Sequence, residues 1–241
     1  MAFNASGRGA RGPSQSGSGR RFQHQLPLFS IKLVPVIPKF HLPMTKGRKI
    51  VVYIATSADG YIARPDGSVD WLDRPRTSGD YGMGAFFKTI DTILWGRKTY
   101  GVGLEMNQGG LGMYGSRIKN YVFSHRPPKK HAPDVEFVKE PISEFAKRLR
   151  ATPGKDVWMM GGGGIIASFL DAGEIDEFII HVIPTFIGEG IPLIAPKRRD
   201  VELKLLSVRD YPDGVVRLHY AVELTAEKPK AAGKKGRGKA R

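Results

Sequence analysis

Short apolar runs rich in β-branched residues recur along the middle of the chain, each closed by glycine or a turn pair and followed by a helical pattern. Residues 50–56 (IVVYIAT) form the first run, which suits a buried strand. The loop 57–70 after it carries Asp59-Gly60 and Asp66-Gly67, both strong turn signals. A helix is expected over 82–89, a second strand over 92–95, then Gly96 and a helix from Lys98. Residues 120–124 (NYVFS) and 136–138 read as the third and fourth strands. The amphipathic stretch 142–150 reads as a helix with Ser143 as its candidate cap. A fifth strand over 156–160 (DVWMM) runs into Gly161–Gly164, and 165–172 is a helix closed by Gly173. Residues 177–184 form a sixth strand. Two more, near 202–210 and over 215–224, meet at the hairpin pair Asp213-Gly214.

Strands alternating with helices imply βαβ units and an α/β fold with a mostly parallel central sheet flanked by helices. The last pair adds an antiparallel C-terminal hairpin. Ligands of such sheets bind outside the carboxyl ends of the strands. That rule gathers the loops at 57–70, 96–99, 124–126 and 161–164 on one rim.

Charge changes the picture at the two ends of the chain only. The 241 residues carry 38 Lys and Arg against 23 Asp and Glu, a formal charge of +15. Residues 1–43 hold six of those cations and no acid, and 226–241 hold seven cations and one acid. What remains over 44–225 is 25 basic against 22 acidic residues, so no basic face for nucleic acid is expected on the folded part. We therefore divide the chain into 1–47, a disordered or leader segment, 48–225, one folded domain, and 226–241, a basic disordered tail. Residues 1–25 have the composition of an organellar leader, yet a start at Met44 with a non-native or disordered extension before it is the preferred reading. No apolar run reaches the ~20 residues of a membrane span, because Pro27, Pro35, Pro38 and Pro43 interrupt 26–43. A cytoplasmic protein is expected. With no Cys, thiolate zinc sites, disulfides and Cys nucleophiles are excluded, and the six His show no ligand spacing.

Four stretches carry candidate chemistry. At 95–100 a strand ends at Gly96, and Arg97, Lys98 and Thr99 open the next helix, where free amides and the helix dipole favour phosphate. Gly161, Gly162, Gly163 and Gly164 repeat that arrangement with a backbone bare enough to touch a pyrophosphate. Neither stretch is G-x-G-x-x-G, and neither is a Walker loop. Ser124, His125 and Arg126 follow the third strand, where they suit an adenosine phosphate. The turn at 57–63 can cover a nicotinamide.

Taken together, these stretches resemble the dihydrofolate-reductase-like superfamily, and within it the reductase domain found at the C-terminus of bifunctional riboflavin-biosynthesis deaminase-reductases. Ser57-Ala58-Asp59-Gly60-Tyr61-Ile62-Ala63 is similar to that branch's S-x-D-G-x-I-A opening. Residues 66–72 are similar to the D-G-S-x-D-W-L run of its stand-alone members, and 91–100 to D-T-I-L-x-G-R-K-T-Y. The strand before the glycine turn and the segment 176–194 also match, in order, so the resemblance covers about 48–224.

The resemblance implies a dihydrofolate-reductase-like fold and hydride transfer from NADPH to a small ring compound. It gives Arg97, Lys98 and Thr99 the 2′-phosphate and pyrophosphate, and Ser124, His125 and Arg126 the adenosine side. Gly161, Gly162 and Gly163 fall to the pyrophosphate, with a cis bond between Gly161 and Gly162. Ala55 and Ile62 line the nicotinamide pocket. It also implies a homodimer formed through a sheet edge, such as the C-terminal hairpin offers. Candidates for substrate are Tyr53, Trp71 and Tyr81, with Tyr114, and for proton supply Asp59 and Asp80. Departures from the family pattern bear on the substrate. The acid that anchors a pterin falls at Met83, and the stretch 101–115 lacks the D-D-P-x-L-T-x-R run that serves a ribose phosphate. The reading is an NADPH-dependent reductase like 5-amino-6-(5-phosphoribosylamino)uracil reductase. A dihydrofolate or pterin reductase is the alternative within the fold, and a polyanion-binding protein acting through its tails the alternative outside it.

Overall fold

The apolar runs do become the centre of one large sheet. A computed structural model describes residues 47–74, 79–107, 110–111, 118–129, 131–133 and 135–223. The two tails and Tyr114 lie outside these residues. Among the described residues ten strands and four α-helices follow in chain order. They are β1 (Ile50–Ser57), β2 (Tyr61–Ala63), α1 (Met83–Phe87), β3 (Ile90–Gly96), α2 (Arg97–Met106), β4 (Lys119–Phe123) and β5 (Val135–Val138). After these come α3 (Ile142–Ala151), β6 (Asp156–Gly161), α4 (Gly163–Asp171), β7 (Glu177–Ile183), β8 (Ile191–Pro192), β9 (Glu202–Asp210) and β10 (Val216–Glu223). A 3-10 turn at Asp70–Leu72 precedes α1.

Eight strands order as β5-β4-β3-β6-β1-β7-β10-β9, and β2 pairs with β8 in a small separate ribbon. Every pair from β5 to β7 is parallel, whereas β7-β10 and β10-β9 are antiparallel. The expected mostly parallel sheet with a C-terminal hairpin is therefore what forms. Strands buried on both faces must be apolar throughout, and β1 alternates Ile50 and Val52 toward one face with Val51 and Tyr53 toward the other. On the first face, Phe145 and Leu149 of α3 and Ile166, Phe169 and Leu170 of α4 complete the core. On the second, Phe86 of α1 and Tyr100 of α2 do so, against Trp95 and Trp158.

This division of helices decides where a ligand fits. The chain leaves β3 through α2 on one face and leaves the neighbouring β6 through α4 on the other. Between the two strand ends the crossovers part, which opens a crevice at the carboxyl edge of the sheet. At the opposite edge Arg48 ties three strands together. Its Nε donates to the Lys155 carbonyl at 2.6 Å, and its guanidinium pairs with Asp91 and donates to Thr92.

Three elements differ from expectation. Helix α3 has Pro141 at its N-cap position, and Ser143, the expected cap, lies within its first turn. Helix α4 begins at Gly163, not after the glycine run, because Gly162 already acts as its N-cap. The ribbon β2-β8 is too short, and Pro192 too poor a strand former, to show in a hydropathy pattern. Tertiary contact holds it: Leu193 N–H donates to the Gly60 carbonyl at 3.1 Å, and Ala195 N–H to the Gly163 carbonyl at 3.1 Å.

Candidate functional site

The crevice brings the expected phosphate residues together. Trp95 of β3 lies in register with Gly161 of β6, so Gly96 faces the glycine turn directly. A Cβ at Gly96 would stand 3.2 Å from the Gly161 carbonyl oxygen and 3.5 Å from the Gly162 nitrogen. A Cβ at Gly162 would stand 3.1 Å from Thr99 Oγ1 and 3.7 Å from Ile62 Cδ1. Gly96, Thr99, Gly161, Gly162 and Ile62 thus form one continuous backbone-rich surface. The Gly161-Gly162 peptide is cis. Neither α2 nor α4 has a side-chain cap at its N-terminus, which leaves first-turn amides of both helices without a side-chain partner. Arg97 and Lys98 are exposed and enter no ion pair among the described residues.

Not all four glycines have the same surroundings. Gly163 is buried, and a Cβ there would overlap the Pro192 carbonyl oxygen, so its bareness serves the packing of α4 on β8. Gly164 is exposed, with nothing within 4 Å of where a Cβ would sit. Ser124 is buried and its Oγ accepts from Arg126 N–H at 3.2 Å, which shapes the turn after β4. His125 and Arg126 are exposed beyond it.

Next to this surface lies a cavity of about 460 Å³, lined in part by Tyr53, Ala55, Leu72, Tyr81, Trp158 and His181. Of the expected ring-contacting residues, Tyr53 and Tyr81 line it. Trp71 does not: it is 7% exposed and packs on Ile183, Tyr211 and Val215. Leu72, its neighbour, takes the cavity side. Another cavity, of about 350 Å³, sits by Arg48 at the amino edge of the strands, away from the glycine turns.

The cavity floor holds a polar group that the sequence pattern did not single out. His181 is 4% exposed within β7, in register with Ala55. The Tyr81 carbonyl oxygen receives Tyr211 Oη at 3.0 Å, His181 Nε2 at 3.1 Å and Tyr53 Oη at 3.2 Å. Tyr53 Oη is also 3.4 Å from His181 Nε2. A carbonyl oxygen has two lone pairs, so the three donors exceed what it accepts. Tyr81 meets them with a left-handed backbone, φ 54°. Its own hydroxyl pairs with Asp213. Burial drives the Tyr53 phenol far above its ordinary pKa, and burial together with the Arg217 charge brings His181 below its own. Both are therefore uncharged near neutral pH. A buried His within an apolar strand gives no periodicity signal, because it occupies a core position like any hydrophobe.

The two carboxylates expected to supply protons are both held by backbone amides, although Asp80 also lines the cavity. Asp80 accepts from Gly82 N–H at 2.9 Å and Gly84 N–H at 2.7 Å, capping α1. Asp59 accepts from Gly188 N–H at 2.8 Å and from Ile187 N–H, tying its turn to the loop after β7. The Gly82 and Gly84 amides lower the pKa of Asp80, while the Ser57 hydroxyl, then the Gly188 and Ile187 amides, lower that of Asp59. Both stay ionised near neutral pH, an arrangement that favours holding loops over giving up a proton. Among the described residues no cluster of His, Asp and Glu is arranged for a metal ion, and no helix is long and apolar enough to cross a membrane.

Comparison with known proteins follows the same outline. The RibD C-terminal domain family model matches residues 48–217. The chain belongs to this family. The uncharacterized proteins YwjB and YyaP of Bacillus subtilis (strain 168) are 38% and 33% identical to it. Those matches cover 72% and 73% of this chain and 97% and 95% of theirs, so the domain occurs alone in them. A Shewanella sp. PV-4 structure named for riboflavin biosynthesis superposes with TM-score 0.64 at 26% identity, covering 73% of this chain and 99% of that one. The Thermotoga maritima deaminase/5-amino-6-(5-phosphoribosylamino)uracil reductase shares the fold at TM-score 0.57 and 16% identity, over 73% of this chain and 57% of that one. Membership places the chain among riboflavin-biosynthesis reductase-like proteins, an oxidoreductase family.

Proposed function

We propose that the protein is an NADPH-dependent reductase of a small heterocyclic compound. The observation that carries this reading is the convergence of Gly96, Gly161 and Gly162 between two uncapped helix N-termini. A Cβ at Gly96 or Gly162 would press on the facing turn, so the close approach of these backbones depends on glycine. A dinucleotide pyrophosphate needs that combination of bare backbone and aligned amides. Arg97 and Lys98, with Thr99, hold the 2′-phosphate side. Ser124, His125 and Arg126 flank the adenosine side, and Gly161 to Gly164 the pyrophosphate. Ala55 and Ile62 bound the nicotinamide end. The bound cofactor supplies the hydride, and the chain supplies position and exclusion of water.

Tyr53, Tyr81 and Trp158 form the aromatic walls against which a flat ring lies. Tyr211 and His181 satisfy the Tyr81 carbonyl when His181 carries its proton on Nε2. The Tyr53 hydroxyl is then the donor left to turn into the cavity and hold a ring acceptor. Asp59 and Asp80 act as positioning residues, through the 187–188 loop and α1. A pterin is disfavoured, since Met83 stands where the resemblance puts the pterin-binding acid, and Asp80, the carboxylate that does line the cavity, is held by the Gly82 and Gly84 amides. The exposed edge strand β9, with Leu203, Leu205 and Val208, supports a homodimer. We place the reaction in the cytoplasm, with no nucleic-acid partner for the folded domain. A turnover screen of pyrimidines, pteridines and related ring compounds tests the activity through loss of reduced-nicotinamide absorbance. Consumption with a pyrimidine-type ring supports the reading, and preference for dihydrofolate overturns the substrate assignment.

A further inference from the structure

The β9–β10 hairpin has one charged face and one apolar face. Register sets Leu203, Leu205 and Val208 of β9 opposite Val222, Tyr220 and Leu218 of β10. Residues opposite each other share a face, so these six side chains form one apolar patch. The reverse face carries Glu202 opposite Glu223 and Arg209 opposite Arg217. Such alternation marks a sheet with one side for water and one for a core. Tyr220 and Val222 pack on the core that α3 and α4 complete. Farther out the cover ends: Leu203 is 43%, Leu205 51% and Val208 55% exposed.

An apolar patch of this kind at the edge of a sheet marks a contact surface. Two β9 edges joined by backbone hydrogen bonds would lengthen the sheet and leave those three residues as exposed as before, whereas a partner laid on the face covers them. That partner is a separate molecule: the matched region makes up 97% of YwjB and 95% of YyaP, which leaves no room for a further domain. A second copy fits the patch, because the six side chains hold no charge and meet their own copies without repulsion, as a two-fold contact requires. The same hairpin also reaches the cavity. Its turn brings Tyr211 Oη to 3.0 Å from the Tyr81 carbonyl oxygen and the Asp213 carbonyl oxygen to 2.7 Å from Arg74 Nη2. Tyr81 and Arg74 line the cavity. The glycine turns stand off at the ends of β3 and β6, with β1 and β7 between them and the hairpin.

We propose that two copies of the chain pack through the apolar faces of their β9–β10 hairpins, and that the contact braces the wall of the cavity and not the glycine turns. This rests on the reading of the protein as a homodimer. A copy that covers Leu203, Leu205 and Val208 holds the hairpin against β7, and the turn of the hairpin holds Tyr81 and Arg74.

The test uses the full chain. Sedimentation over a range of concentrations is expected to show a dimer, weakened at least about tenfold by Leu205→Lys and by Val208→Lys, because each puts a charge where the copy would bury it. Ser207→Lys, on the charged face opposite His219, is expected to leave the dimer unchanged. Hydrogen exchange then reads the site. The amides of 82–84 bond to Asp80, and those of 165–166 to the Gly162 carbonyl. In the two weakened variants exchange at 82–84 is expected to quicken about tenfold or more, and exchange at 165–166 to stay as in the parent. A parent that sediments as a monomer removes the homodimer reading and this inference with it. A dimer that survives both lysines keeps that reading and overturns this surface. Dissociation with unchanged exchange at 82–84, or with exchange quickened at 165–166 as well, overturns the bracing.

Discussion

Gly163 and Gly164 are neighbours whose replacement by alanine has opposite consequences. At Gly164, in the first turn of α4, an added Cβ meets nothing within 4 Å and the residue is exposed. Alanine is the better helix former by roughly 0.5–1 kcal/mol. In a domain of this size 1 kcal/mol moves the melting temperature by roughly 2–4 °C, so Gly164→Ala is expected to raise it by about 1–4 °C. The same methyl projects into the space before the helix where the pyrophosphate is placed. NADPH affinity is expected to fall about tenfold, equivalent to ~1.4 kcal/mol. At Gly163 the methyl overlaps the Pro192 carbonyl oxygen, a backbone atom that no rotamer change relieves. Overpacking of that kind costs ~1–3 kcal/mol, so Gly163→Ala is expected to melt several degrees below the parent. Thermal melts and nucleotide titrations on both variants decide the matter. A Gly164→Ala protein that binds NADPH like the parent would refute the placement of the pyrophosphate, and a Gly163→Ala protein of undiminished stability would refute the packing argument.

Two further outcomes follow from the same geometry. Tyr53→Phe is expected to leave NADPH affinity unchanged and to lower turnover about tenfold, the worth of one hydrogen bond to substrate. Since burial keeps the Tyr53 phenol protonated, steady-state rates should show no Tyr ionisation up to about pH 10, its unperturbed value; loss of rate on Tyr ionisation below that pH contradicts the burial. Arg199 first, and Lys197 with it, lower the Asp171 carboxyl from 3.8 to about 2. Its folded pKa lies below its unfolded one, so the pair stabilises the fold above about pH 4 and loses that contribution as pH falls toward 2. Melts from pH 6 to pH 2 should show Asp171→Asn below the parent at the upper end and level with it at the lower; a constant offset contradicts the assignment.

Much of the fold was legible because its strands are buried on both sides. Runs such as 50–56 and 156–160 must then be apolar throughout, and the glycines and Asp-Gly pairs mark where each ends. The meeting of the glycine turns was legible too. Gly96 with Arg97 and Gly161 with Gly162 lie at strand ends, where topology alone brings them together. The cavity residues were harder to see. Trp71 and Leu72 are adjacent, and which of them faces the cavity depends on how the 3-10 turn sits against β7 and Val215. His181 and Arg217 look like an interior His and a surface Arg until the pairing of β7 with β10 sets them side by side. Asp59 and Asp80 stand in loops that invite a catalytic reading, and only the backbone amides of 187–188 and 82–84 reveal what holds them.

The most direct test of the central claim is a fluorescence titration of the full chain with NADPH and with NADH, alongside Arg97→Ala. A charge-assisted contact to the 2′-phosphate is worth roughly 1.5–3 kcal/mol. The parent protein is therefore expected to bind NADPH at least about tenfold tighter than NADH, and Arg97→Ala to shrink that preference while binding of NADH persists. Binding of neither nucleotide, or equal binding of both with no effect of Arg97→Ala, contradicts the account.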